Sequence, residues 1–108
     1  MIYQYADSVP AEMMPGLIRR TLAVGGSLMI CEFKLERGVE IPEHAHPHEQ
    51  IGYISSGKVR IMVEGESRDL GPGDCYYAPS GVKHGALVLE RAVVVDTFSP
   101  PRDDYLQP

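Results

Sequence analysis

Cysteine is scarce in this chain, basic residues are outnumbered, and no long apolar run exists. The two cysteines, Cys31 and Cys75, each lie inside an apolar segment. Both are expected to be buried, reduced thiols in a cytoplasmic protein rather than parts of a disulfide framework. Stretches such as Ala92-Val93-Val94-Val95 are the longest apolar runs, far short of a membrane span. Ten Lys and Arg against fifteen Asp and Glu give a net charge of -5, which argues against nucleic-acid binding. The segment Met1–Asp7 lacks both a basic and an apolar signal region, so no secretory leader is expected. No window of helical length carries a clean 3.6-residue apolar period. The one place for a short helix is Ala11–Leu17, kept brief by Pro10 and Pro15.

What is present is glycine and proline at short intervals, with Val, Ile, Leu and Tyr between them. The spacing predicts strands at Ile18–Val24, Ser27–Glu36, Gln50–Ser55, Lys58–Glu64, Ser67–Leu70, Cys75–Ala78, Gly85–Leu89 and Ala92–Phe98. Short strands with turns between them point to an all-β sandwich or barrel. Gly65 reads as a hairpin tip, and Gly71-Pro72-Gly73-Asp74 as a tight turn. At 108 residues, the expectation is one domain spanning 1–108, with 99–108 as an irregular tail that Tyr105 and Leu106 could dock.

Four histidines occur, and three of them fall in His44-Ala45-His46-Pro47-His48. On an extended strand, His44, His46 and Gln50 share one face. His84, behind Pro79-Ser80-Gly81, is the candidate fourth ligand for a divalent transition metal. Nickel, iron, manganese and zinc are not distinguished by such a set. His48 follows a proline that disturbs the alternation and reads as an ordinary surface or core residue. Glu49 has the opposite parity and reads as solvated unless a bulge turns it inward.

The segments Gly38-x5-His44-x-His46-x3-Gln50-x6-Gly57 and Gly73-x5-Pro79-x-Gly81-x2-His84 resemble the two motifs of the cupin family. The resemblance implies a small antiparallel β-barrel, a jelly-roll-like double-stranded β-helix. It also implies one metal ion held in the lumen by His44, His46, Gln50 and His84. Two positions depart from the family pattern: Gln50 stands where glutamate is usual, and Val88 where asparagine is usual. A neutral ligand set leaves a divalent ion its full formal charge. That favours polarising a substrate oxygen over activating dioxygen.

In Ala92–Phe98, Asp96 and Phe98 share parity with Ala92 and Val94, so one face could carry a carboxylate and a ring into the lumen. Arg102 follows two prolines that could aim its guanidinium back at the barrel mouth. This Asp96-x-Phe98-x3-Arg102 tail is similar to that of cupins that ketonise 4,5-unsaturated uronates, which also carry a three-histidine, one-glutamine site. The resemblance implies an isomerase-type enzyme of carbohydrate degradation, a homodimer acting on a small carboxylated sugar. The acidic balance and short apolar runs lead to the expectation of neither nucleic acid nor membrane as a partner. Asp96 would move the proton, Arg102 would clamp the carboxylate, and Phe98 would shape the pocket. Three other readings compete: a metal-dependent dioxygenase, a non-catalytic sugar- or effector-binding cupin, and a purely structural domain whose histidines hold no metal.

Overall fold

A computed structural model describes residues 1–106. It contains eight strands: β1 (Pro10–Met14), β2 (Leu17–Val24), β3 (Met29–Leu35), β4 (Glu40–His44), β5 (Glu49–Val63), β6 (Glu66–Leu70), β7 (Cys75–Ala78) and β8 (His84–Ser99). All are antiparallel in one sheet of order β1-β2-β3-β8-β5-β6, with β4 also on β8 and β7 also on β5. The ladder does not close into a ring. The sheet curls into the barrel shape of the expected all-β class.

The inward face follows the period of two. Met29, Cys31, Phe33 and Leu35 alternate inward along β3. Ala92, Val94, Asp96 and Phe98 do so along β8. The two long strands position the site. β8 has sixteen residues, and a straight strand of that length would span about 50 Å. The molecule is only 36 Å in its longest direction, so β8 must bend. Its partner β5 carries register shifts between Ile54 and Val59, and Gly57 lies among them at φ +83°. A Cβ there would press on the Ala92 backbone at 2.6 Å and on the Arg91 carbonyl, so only glycine fits. The bend returns both ends of β8 to one side of the barrel.

Several expectations change. The predicted breaks at Gly57 and after Leu89 are bends within continuous strands, because β5 and β8 keep pairing through them. Ala11–Leu17 is not helical: β1 pairs with β2 across a tight turn at Gly16, whose φ is +83°. The strand β4 lies in a polar stretch without apolar alternation and was not expected. Cys31 is fully buried, but Cys75 is exposed, because it opens β7 on the outer face opposite Tyr53. Both thiols are free. Gly65 forms the β5–β6 tip at φ +81°. Gly71–Asp74 closes as a turn, with Asp74 N–H donating to the Gly71 carbonyl.

The tail is not wholly irregular. Asp103–Tyr105 makes one 3-10 turn. The Thr21 hydroxyl donates to the Tyr105 carbonyl at 2.6 Å, and the Tyr105 ring packs on Phe33 and Phe98. Leu106 stays exposed. Residues 107 and 108 of the expected tail lie outside the described residues. No helix is long and apolar enough to cross a membrane among the described residues.

Candidate active site

His44 ends β4, His46 lies in the loop that follows, Gln50 is on β5, and His84 opens β8. The expectation of one continuous strand through His44, His46 and Gln50 is therefore corrected. Pro47 falls in a bend between two strands, and the loop, not strand parity, turns His46 inward. The three imidazoles still converge. One ring nitrogen from each of His44, His46 and His84 lies within 4.8 Å of the others. His84 pairs across the ladder with His44, which brings their rings to 4.4 Å.

The backbone decides which nitrogen is free. Nδ1 of His44 lies 3.0 Å from the Pro42 carbonyl, Nδ1 of His46 2.9 Å from the His48 carbonyl, and Nδ1 of His84 2.9 Å from the Val82 carbonyl. A carbonyl only accepts, so each Nδ1 carries the proton and donates it. Each Nε2 is then a bare lone pair, the form that binds a metal. His84 Nε2 is buried without a hydrogen-bond partner among the described residues. A buried lone pair left bare is costly in a folded protein and is what a metal ion would satisfy. Burial, then the charge of Arg102, then that of His84, hold His46 below the ordinary imidazole value. Burial does the same to His84, helped by His44 and Arg102. Both shifts favour the neutral, ligating ring.

Gln50 is buried, and its Oε1 lies 3.1 Å from His46 Nε2. Two acceptors this close fit a cation beside them, so the residues present suit a metal ion. His48 stacks edge-on against His46 at 5.3 Å and is not part of the three-ring group. Glu49 faces outward and accepts from the Tyr77 hydroxyl.

Asp96 lies on the inward face of β8, six per cent exposed, and lines the same cavity of about 230 Å³ as His44, Gln50 and His84. Burial raises its carboxyl to about 7, against the opposing pull of Tyr76, Gln50 and Arg102. The Tyr76 hydroxyl donates to Asp96 Oδ1 at 2.7 Å and accepts from Gln50 Nε2 at 2.7 Å. Phe98 is fully buried, 6.2 Å from the His46 ring. Arg102 also lines the cavity. Its guanidinium lies 4.0 Å from the Tyr105 ring centroid and 5.4 Å from that of Phe98. Asp104 accepts from its Nε at 3.2 Å and its Nη2 at 2.9 Å. That occupies the side edge of the guanidinium and, among the described residues, leaves the end edge open. Val88, at the departure from the second motif, is core.

Tyr76 and Gly52 were missed as members of this site. Gly52 pairs with Tyr76 on one side and Asp96 on the other. A Cβ at Gly52 would overlap the Tyr76 ring and the Asp96 carboxylate. The absent side chain is the space in which Tyr76 and Asp96 meet. A glycine inside a strand pattern was the available signal.

The family model for the cupin domain matches residues 31–98. The chain belongs to the cupin family. This cupin is 36% identical to the pectin degradation protein KdgF of Dickeya dadantii (strain 3937), over 96% of this chain and 97% of that protein. Its fold matches the structure of KdgF from Halomonas sp. with a TM-score of 0.91 and 38% identity, covering 96% of each chain. It also matches an RmlC-like cupin from Shewanella frigidimarina with a TM-score of 0.89 and 30% identity, over 97% of this cupin and 99% of that chain.

Proposed function

We propose that this cupin is a metal-dependent enzyme that converts a 4,5-unsaturated uronate to its linear keto form. The observation that carries the reading is Asp96, a buried carboxyl poised near neutral pH in the cavity shared by the histidine cluster and Arg102. The likeness to a pectin degradation protein supports this substrate class. His44, His46, Gln50 and His84 would hold the ion. When bound, it supplies a positive charge that stabilises negative charge developing on a substrate oxygen.

The rest falls to the chain's own residues. Arg102 takes the substrate carboxylate on its open edge, with Asp104 and the Tyr105 ring holding the guanidinium still. In such a substrate the ring oxygen is an enol ether. Loss of the C1 hydroxyl proton and cleavage of the C1–O5 bond yield an aldehyde and an enolate at C5. Protonation at C4 then gives the ketone. No other reactant is consumed, so one carboxyl can take the first proton and return one at C4. Asp96, a buried carboxyl that burial raises well above the usual carboxylate range in the metal-free chain, suits both transfers. Phe98 walls the cavity and excludes water.

The test is to incubate the metal-loaded protein with an unsaturated uronate monomer and follow loss of the enol-ether absorbance. Turnover that disappears on chelation is expected. Binding of the uronate without turnover would favour the non-catalytic reading. Oxygen uptake in its place would favour the dioxygenase.

A further inference from the structure

The hydrogen bonds from Gln50 through Tyr76 to Asp96 have a direction. Tyr76 has one hydroxyl proton, and it goes to Asp96. The phenolic oxygen then offers a lone pair on its other side, and only a donor fills it. The Gln50 side-chain NH₂ is that donor. With its nitrogen committed to Tyr76, the amide has one orientation left, and Oε1 faces His46 Nε2. A glutamate here would offer only acceptors. It would set a second buried carboxylate against a hydroxyl with no proton to give. The arrangement is tightly built. Tyr76 and Asp96 flank Gly52 across neighbouring strands, and the space over Gly52 is filled by both.

We propose that Tyr76 is a positioning residue for the metal centre. It turns the Gln50 amide oxygen-first toward the three imidazoles, and it is the reason an amide rather than a carboxylate stands at position 50. The inference rests on reading His44, His46, Gln50 and His84 as ligands. It does not depend on the substrate. Groups that orient a metal ligand typically change metal affinity by about 10–100-fold when removed.

The experiment measures zinc affinity by competition with a chromophoric chelator. It uses the full chain and the variants Tyr76→Phe, Gln50→Ala and the double variant. Tyr76→Phe alone should weaken zinc binding by about 10–100-fold. In the Gln50→Ala background it should change affinity by no more than about twofold, because no amide remains to orient. Native-like affinity in Tyr76→Phe would overturn the proposal. So would an equal loss in both backgrounds, which would mean that the hydroxyl serves packing alone. Should Tyr76→Phe fail to fold, the native zinc-loaded protein answers by NMR. The Gln50 side-chain amide protons should show NOEs to the Tyr76 ring, whereas NOEs to the His46 ring would reverse the orientation and sink the idea. A native protein that binds no zinc at all would refute the ligand set and this inference with it. Turnover without that binding would leave the substrate reading standing.

Discussion

The two ends of β8 solve the same problem in different ways. At the His84 end, each imidazole is held by a backbone carbonyl two residues away along its own chain. At the Asp96 end, the carboxyl accepts from the Tyr76 hydroxyl on β7, which in turn accepts from Gln50 on β5. The first arrangement is local, so a short motif can encode it. The second exists only once β5, β7 and β8 are paired. The orientation of the three imidazoles should therefore resist distant substitutions, whereas the carboxyl end, and the Gln50 amide joined to it, should be sensitive to them.

The comparison is broken most severely by removing His84. His84→Ala should lose bound metal and drop turnover to background, with the fold retained, as elemental analysis and circular dichroism would check. Retention of stoichiometric metal would show that the local triad is not the binding unit.

The next effect is one of pH. Asp96 has an ordinary value of 3.8 and sits at about 7 when folded. Between those values the folded state keeps a proton that the unfolded chain has released, so stability falls as pH rises through this window. The full loss is on the order of 4 kcal/mol in metal-free protein, levelling off above pH 7. Chemical denaturation of chelator-treated protein should show that decline, and Asp96→Asn should flatten it.

Gly52→Ala sharpens the contrast from a neighbouring strand. Its added methyl must displace Tyr76 or Asp96. It should cost roughly 1–3 kcal/mol as overpacking and reduce activity, while the three imidazoles keep their carbonyl partners. Urea melts and metal titration would separate the two effects. The smallest change is expected for Asp104→Asn. It weakens the side-edge pairing that steadies Arg102, so KM should rise by roughly a few-fold with kcat nearly unchanged. A fall in KM would mean that Asp104 competes with substrate.

The same division explains what could be read in the sequence. His44, His46 and His84 were legible because the family motifs fix their spacing and local carbonyls fix their rings. The placement of Asp96 and Phe98 on the inner face of β8 followed from alternation, which survives bending. Tyr76 was not legible, since a tyrosine in Cys75–Ala78 looks like ordinary strand filling. Its meaning depends on register against Gly52 and Asp96, a long-range property. Gly57 misled for a related reason. A glycine between two apolar runs reads as a turn, and only pairing to β8 makes it a bend. β4 was missed because polar Glu40–His44 has no alternation and is a strand only by virtue of β8 beside it.

A local histidine cluster and a separately built carboxyl share one cavity and should act together there. The most direct measurement is turnover of an unsaturated uronate by metal-loaded Asp96→Asn, with metal content determined on the same sample. Full metal occupancy is expected, with a loss of kcat of roughly 10²–10⁴-fold, typical of a removed general acid–base. Near-normal turnover with the metal in place would contradict it.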